Sequence, residues 1–288
     1  MTEQELEQQR TANWRTGGNV VRTIEDARSF IEAVGFCLMY PERLLPLVPS
    51  FIGAYAGSAA GLPDTKHAFA DPRAQQAIDL VVLLLRERSA FEINLSGDTN
   101  LIIAAPLFPF FYALVGDRNP KAPPKTKAQG AATSELSARV FEALQKHGPL
   151  SKSQLQARVG GEASFTALDR ALGELWSILK ITRVDYSTSE GAKWDVLYRW
   201  APQAVKEGIQ ISQPEGISAL VSKYLEAVVA AEQEEIEQFF SQLTSRSKVR
   251  EAVSALLQAR ELSYVTIGTK TMIRMTPPPE QQRRRNHG

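Results

Sequence analysis

The stretch SELSARVFEALQKHGPLSKSQLQARVGGEASFTALDRALGELWSILKITRVDYSTSEGAKWDVLYRW, residues 134–200, decides the predicted fold. It opens with apolar residues at helical spacing, and this first helix is predicted to end at Gly148–Pro149 because proline cannot extend the helical hydrogen bonds. A second, short helix is predicted from Ser151. A third helix follows Ser164, and its apolar face is predicted to be buried as one set: Leu168, Leu172, Leu175 and Leu179.

The same stretch ends in two strand-like runs, residues 180–187 and 193–200, which are rich in β-branched and aromatic residues and are separated by a turn. Three helices followed by a hairpin are typical of a winged helix-turn-helix unit. The same order is predicted in residues 19–116 and 213–275. The predicted fold class is therefore α+β, built from tandem winged helix-turn-helix units, three in number. A generic α+β protein in which the periodicity arises by chance is the alternative.

The domain boundaries follow shifts in composition. The first residues are polar, with Trp14 as their one large apolar side chain. A stretch rich in proline, glycine and lysine interrupts the periodic apolar pattern, and the end of the chain is rich in proline and then basic. The predicted organisation is a flexible arm (1–18), an N-terminal winged-helix-like domain (19–116), a linker (117–133), a central winged-helix domain (134–212), a C-terminal winged-helix domain (213–275) and a disordered tail (276–288).

Composition excludes several classes of protein. Lys and Arg number 33 and Asp and Glu 32, so no overall field attracts nucleic acid, and any such binding must come from local patches. The single cysteine, Cys37, excludes an intramolecular disulfide framework and a cysteine-rich zinc site. The sequence contains no signal peptide, membrane-length apolar run, nucleotide-binding motif or metal motif. It therefore predicts a cytoplasmic protein with no cofactor, no metal and no membrane partner.

Five segments carry a resemblance to a known family. They are EDARSFIEAVGFCLMYP (25–41), LFPFFYALVGD (107–117), EALQKHGPLSKSQLQ (142–156), FTALDRALGELWSILKITRV (165–184) and KWDVLYRWAP (193–202). In these segments the chain resembles bacterial winged-helix proteins related to the AlkZ/YcaQ DNA glycosylases. The resemblance implies tandem winged helices that enclose duplex DNA, in a family that unhooks interstrand crosslinks and removes alkylated bases.

The resemblance also identifies the position of the family's catalytic pair, a Gln-x-Gln or Gln-x-Asp motif after the first helix. The corresponding residues here are Leu38 and Tyr40, in Gly35–Pro41. Glycosidic cleavage needs a polar group that holds the attacking water and stabilises positive charge on the sugar, which leucine cannot provide. Tyrosine acts as a base at neutral pH only with a strongly lowered pKa. The motif is predicted to be lost, and no catalytic residue is assigned.

Candidate DNA contacts lie near the starts of the predicted helices, where cations can reach phosphate groups. In the last unit, Arg246 and Arg250 lie four residues apart and are expected to share a face, with Lys248 pointing elsewhere. In the central unit the candidates are Arg170, Thr166 and Lys152. Duplex DNA is therefore the predicted partner, and a protein partner is the alternative.

The favoured functional hypothesis is a DNA-binding protein derived from a glycosylase scaffold, non-catalytic, that recognises damaged or distorted duplex. One alternative is an active glycosylase in base excision or crosslink repair that uses substitute groups such as Tyr40, Glu87 or Glu92. We interpret the two glutamates as a solvated helix end and a polar strand face. Another alternative is a winged-helix module that docks a protein, which the near-neutral overall charge favours.

Overall fold

The structure is a computed structural model that describes residues 1–96, 99–130 and 133–278. Most of the predicted disordered tail, residues 279–288, lies outside this part of the chain. Its helices are α1 (Glu3–Asn13), α2 (Ile24–Val34), α3 (Phe51–Ala56), α4 (Pro72–Arg86), α5 (Phe108–Val115), α6 (Glu135–His147), α7 (Lys152–Arg158), α8 (Phe165–Ser177), α9 (Leu197–Trp200), α10 (Pro202–Gln210), α11 (Gln213–Val228), α12 (Gln233–Phe240) and α13 (Arg246–Gln258). Its strands are β1 (Phe36–Leu38), β2 (Ala90–Ser96), β3 (Thr99–Ala104), β4 (Leu150–Ser151), β5 (Ile181–Ser187), β6 (Gly191–Val196), β7 (Leu262–Ile267) and β8 (Lys270–Met275). Small antiparallel sheets among helices give an α+β fold.

The first unit combines α2, α3 and α4 with an antiparallel sheet in the order β1-β3-β2. Helix α2 begins with a capping box between Thr23 and Asp26, which satisfies backbone donors of its first turn. It ends at Gly35, whose φ of 80° favours glycine and lets the chain turn directly into β1. This turn leads into β1, an edge strand of the sheet whose three residues are buried.

The central unit has the order α6, β4, α7, α8, β5, β6, with a sheet in the order β4-β6-β5. The three helices and the hairpin predicted for residues 134–200 are therefore present. Leu168, Leu172 and Leu175 lie together in the core of this unit, as predicted. Leu179 is also buried, but it lies in a different core, because α8 ends at Ser177 and the chain turns there. The prediction of one common apolar set was wrong for Leu179.

The last unit contains α11, α12, α13 and the hairpin β7–β8, and it shares its core with the first unit. The ring of Phe36 in β1 stacks on Phe239 in α12, with centroids 5.2 Å apart, and it lies 6.4 Å from the parallel ring of Tyr224 in α11. All three side chains are almost fully buried. Offset aromatic pairs of this kind add to the stabilisation from burial alone. The first and last units therefore pack as one body around this aromatic cluster.

The predicted flexible arm at residues 1–18 is instead helix α1, docked on the last unit. Arg10 is buried and donates hydrogen bonds to the carbonyl oxygens of Val228 and Ala230, at 2.9 and 2.6 Å. The indole of Trp14 donates to the carbonyl of Ala227 at 3.0 Å. The last carbonyls of a helix have no partner within the helix, and α11 ends at Val228. Helix α1 supplies those partners, and this is why the polar segment is ordered.

The predicted linker, residues 117–133, is tied to the central unit by Lys180. The Nζ atom of this fully buried lysine donates to the carbonyls of Asn119 and Ala122, at 2.6 and 2.7 Å. It also lies 2.8 Å from the carboxylate of Asp117. The composition predicted a linker, and its described part contacts the central unit through this buried charge. Residues 131–132 lie outside the described part of the chain.

Candidate functional site

A cleft of about 460 Å³ lies between the first and central units. Helix α4 forms one wall with apolar side chains, among them Ile78, Val82 and Leu85. Helix α8 forms the opposite wall, which includes Gly173 and Trp176. Concave sites with mostly apolar walls and a few convergent polar groups are typical of ligand-binding pockets.

The polar groups at the floor of the cleft come from β2 and β3. Successive side chains of a strand point to opposite faces of a sheet. Phe91 and Ile93 of β2 therefore enter the core shared with the last unit, whereas Glu92 and Asn94 face the cleft. Asn94 pairs with Asn100 of β3 across the sheet, and its amide donates to the Oδ1 atom of Asn100 at 3.1 Å. Strand alternation thus gathers one carboxyl and two carboxamides on this face.

Glu92 is the most unusual group in the cleft. It is 4% exposed, and its Oε2 atom has no hydrogen-bond partner among the described residues. The nearest cation is Arg183 of β5, whose Nη1 atom lies 3.3 Å from Oε2. Burial raises the pKa of Glu92, and the opposing effects of Arg183 and of a hydrogen bond from Asn100 are smaller. The site therefore shifts this carboxyl toward its protonated form relative to an exposed glutamate.

Two tryptophans hold Arg183 in place. Its guanidinium carbon lies 5.1 Å from the ring centre of Trp176 and 5.5 Å from that of Trp194. The two indoles meet edge to face, with centroids 4.9 Å apart. Trp176 also donates its indole N–H to the backbone carbonyl of Glu92 at 3.0 Å. The central unit is thereby fixed to the floor of the cleft, and cation–π contacts stabilise the Arg183 charge.

The two positions that the resemblance in sequence matched to a catalytic pair, Leu38 and Tyr40, lie in different environments. Leu38 is fully buried in the core shared by the first and last units, on the side of β1 that faces α11 and α12. Tyr40 lines the cleft. Burial, with Glu92 and Asp71 as smaller causes, raises the pKa of Tyr40 to about 12, so the hydroxyl keeps its proton at neutral pH. Tyr40 can donate a hydrogen bond in the cleft but is not a base there.

Of the central candidates for DNA contact, Lys152 reaches the cleft edge. Its Nζ atom lies 2.5 Å from the carboxylate of Asp169, a residue of the cleft wall, and 5.7 Å from the ring centre of Phe165. Thr166 and Arg170 are exposed on the same helix, α8. These three candidates therefore lie near one another beside the cleft, with the charge of Lys152 already paired.

The candidates on α13 lie on a separate surface and do not line the cleft. Arg250 forms two hydrogen bonds with the buried carboxylate of Glu237, at 2.7 and 2.8 Å. Lys248 donates to the side chain of Gln213 in α11. Arg246 is exposed, and its positive charge contributes to lowering the pKa of Glu237. Arg246 and Arg250 thus approach the same carboxylate, but Arg250 is already engaged by it.

Glu87 and Glu92 lie in contrasting places. Glu87 is half-exposed at the end of α4 and forms an ion pair with Arg28 at 2.6 Å, which fits the predicted solvated helix end. Glu92 was interpreted as part of a polar strand face, but that face is covered by the central unit. Arg183 and Trp176 were not among the predicted site residues. The alternation of Glu92 with Phe91 and Ile93 in the sequence indicates that Glu92 lies on the polar face of the strand. It does not indicate that another part of the chain covers this face.

In the described ranges, no three His, Cys, Asp or Glu side chains converge in a way that could hold a metal ion. The helices of those ranges are also too short or too polar to cross a membrane.

Comparisons with known proteins relate the chain to DNA glycosylases. The sequence profile of the DNA glycosylase AlkZ-like family matches residues 71–286, which is most of the chain. The structure of Streptomyces sahachiroi DNA glycosylase AlkZ superposes with a TM-score of 0.55 at 15% sequence identity, covering 97% of this chain and 71% of that one. At this identity the superposition shows a shared fold. No curated protein sequence matches the chain. On the strength of the profile match, the chain belongs to the DNA glycosylase AlkZ-like family.

Proposed function

We propose that the protein binds damaged or distorted duplex DNA and receives a displaced nucleobase in the cleft. The observation that carries this proposal is the cleft itself, which combines largely apolar walls, including the indole of Trp176, with a carboxyl and two carboxamides at its floor. A volume of about 460 Å³ is in the range of sites that enclose a small ligand. Proteins that read or process a base in duplex DNA commonly draw it out of the stack into such a pocket.

We also propose that three winged-helix units build the protein. The order helix, strand, helix, helix, strand, strand occurs in residues 24–104 and again in residues 135–196. In the last unit an isolated bridge between Ala231 and Ile273 stands where a first strand pairs with the hairpin. The third helices of the first two units, α4 and α8, face each other across the cleft. This arrangement places both helices at the cleft that we propose for the displaced base.

The proposed function does not require the glutamine-containing catalytic pair of the family. A side chain at position 38 lies in the shared core, where it has no access to DNA in the cleft. Tyr40 has access but keeps its proton at neutral pH. We therefore infer that the protein does not hydrolyse the glycosidic bond with the pair of groups that the family uses at these positions.

A fluorescence anisotropy titration tests DNA binding and the cleft together. The expected result is tighter binding to a duplex with one extrahelical or mismatched base than to a fully paired duplex, because the unpaired base costs less to displace. Affinity should fall steeply with salt, since phosphate contacts release counterions. Failure to bind any duplex at low salt would contradict the proposal.

Gly173 offers a variant that blocks the cleft. This residue lines the cleft, and a Cβ atom added there meets nothing within 4 Å. Gly173→Phe should therefore fold, fill the cleft and remove the preference for the unpaired base. Ser177→Phe is the matched control, because Ser177 is exposed on the same helix outside the cleft lining. Equal preference in wild type and Gly173→Phe would exclude the cleft as the base-binding site.

A further inference from the structure

Glu92 is buried at the floor of a cleft with one carboxyl oxygen left without a hydrogen bond in the described part of the chain. An ionised carboxylate in that position loses its hydration, and the Arg183 guanidinium 3.3 Å away offsets this only in part, whereas a protonated carboxyl has a smaller desolvation cost. Glu87 of the same unit also pairs with an arginine, Arg28, but its side chain is exposed to water. The surroundings of Glu92 thus suit a proton donor.

The surroundings of Glu92 also define the charge of a suitable ligand. The guanidinium of Arg183 lies at the cleft, where Trp176 and Trp194 hold it in place. A cationic base placed beside Glu92 meets that positive charge, and like charges repel more strongly where water is excluded. An uncharged base avoids this repulsion and can stack against the apolar and aromatic walls. The cleft therefore suits an uncharged nucleobase.

Uncharged and cationic bases differ in what they need from a catalyst. A base that already carries positive charge departs from the sugar without help from an acid. An uncharged base is a poor leaving group and needs a proton as the bond to the sugar breaks. A buried carboxyl in the site supplies such a proton, and environments that raise a carboxyl pKa are typical of general acids.

We propose that Glu92 is a general acid for hydrolysis of the N-glycosidic bond of an uncharged, damaged nucleobase held in the cleft. This inference rests on the proposed binding of DNA at the cleft, and it supplies a catalytic group where Leu38 and Tyr40 do not. The earlier expectation of a non-catalytic protein depended on those two positions alone.

The reaction balances without a cofactor. The Glu92 carboxyl gives its proton to a heteroatom of the base, and the bond between the base nitrogen and sugar C1′ breaks with its electron pair leaving on the base. A water oxygen bonds to C1′, and the proton that this water releases restores the carboxyl. The products are the free base and a sugar with a hydroxyl group at C1′. Tyr40, Asn94 and Asn100 line the same cleft and provide polar groups that can hold the water.

The test is a strand-break assay under single-turnover conditions. The probe is a duplex with one hypoxanthine, an uncharged purine, and abasic products are converted to breaks by hot alkali. Wild type should release the base, and Glu92→Gln should reduce the rate at least about a hundredfold, the usual contribution of general acid catalysis. Glu87→Gln is the matched control, because this surface carboxylate lies outside the cleft and should leave the rate unchanged.

Two further measurements make the test independent of how Glu92→Gln folds. The wild-type rate should fall as pH rises through the pKa of Glu92, because the acid form is the reactive one. The wild-type protein should accelerate release of cationic N7-methylguanine, relative to the uncatalysed rate, less than it accelerates release of hypoxanthine. A rate that rises with pH, a preference for the cationic base, or a folded Glu92→Gln with full activity would overturn the inference. Tight binding of the hypoxanthine duplex without breaks would overturn it too, while leaving the proposed DNA binding intact.

Discussion

Lys180→Met is the substitution whose effect on stability the structure defines most sharply. The side chain is fully buried, and its Nζ atom contacts three oxygens: the carbonyls of Asn119 and Ala122, and the carboxylate of Asp117. Methionine has nearly the same length and shape but no proton to donate. The substitution therefore keeps the packing of the stem and removes the three polar contacts.

The expected loss follows from these contacts. A hydrogen bond to a charged group contributes about 1.5–3 kcal/mol, and removing one member of a buried ion pair costs about 3–5 kcal/mol. Asp117 is one-third exposed and water can solvate it again, whereas Ala122 and Asn119 lose a donor supplied from the interior. We expect Lys180→Met to lower the free energy of unfolding by about 3–4 kcal/mol, within that range.

Urea unfolding followed by tryptophan fluorescence measures this loss, and limited proteolysis of residues 117–130 reports local release of the segment. Lys193→Met is the matched control in the same unit, because its ion pair with Glu190 is solvent-exposed and its loss should not shift the unfolding midpoint. A loss below about 1 kcal/mol for Lys180→Met would refute the reasoning, since it would equal the contribution of a surface pair. An unchanged proteolysis pattern would contradict the role of Lys180 in holding the segment.

Three other predictions concern the last unit. Arg10→Met should release α1 and lower the free energy of unfolding by at least about 2 kcal/mol, measured by urea unfolding, because two charge-assisted hydrogen bonds are lost, one to Val228 at the end of α11 and one to Ala230 just after it. An unaltered midpoint would mean that α1 is not docked. The ion pair with Arg250 lowers the pKa of Glu237, so the stabilisation from this pair is present above the ordinary carboxyl pKa of 4.5 and disappears as pH falls through the lowered pKa. The difference in unfolding midpoint between wild type and Glu237→Gln should therefore shrink in acid. A difference that does not change with pH would contradict the assignment. If α13 contacts DNA, Arg246→Gln should reduce the salt slope of binding by about 0.9, the value for one phosphate contact. Arg250→Gln should reduce it less, because Glu237 already engages Arg250; equal effects would show that DNA displaces this ion pair.

The central unit shows how far helical periodicity predicts a core. Leu168, Leu172 and Leu175 recur at helical spacing and are buried together, as the sequence indicates. Leu179 continues the same spacing, but its φ of 52° is left-handed and the helix has already ended. The backbone N–H of Lys180 then donates to the carbonyl of Leu175, which closes the helix. No glycine marks this end, so the pattern alone did not locate it.

Helix α1 shows a limit of local pattern. Its sequence has few apolar residues, and the composition alone favours a flexible arm. The interactions that hold it are made by Arg10 and Trp14 with carbonyls more than 200 residues away in sequence. Exposed carbonyls at the end of α11 leave no signal in the sequence near residue 10. Contacts of this kind become visible only when the tertiary structure is known.

At the cleft, the sequence predicted the strand correctly but predicted the surroundings of its polar face incorrectly. The strand containing Glu92 was predicted, and its alternation with Phe91 and Ile93 correctly separates a polar face from an apolar face. An isolated sheet of this kind presents its polar face to water. Here Trp176 and Arg183, from a unit that begins some forty residues later, cover that face.

Covering a polar strand face is costly for stability, because buried polar groups need hydrogen bonds and the Oε2 atom of Glu92 accepts none in the described part of the chain, although Arg183 lies 3.3 Å away. An aliphatic residue at position 92 would pack in the same place without this cost. The same burial that costs stability also raises the pKa of the carboxyl and places it in a cleft large enough for a ligand. Sites that break the rules of local stability in this way are where function is expected. Glu92 and Glu87 are the same residue type five positions apart in sequence. Burial in the cleft, which costs stability and alters the chemistry of the carboxyl, is what distinguishes Glu92 from Glu87 on the surface.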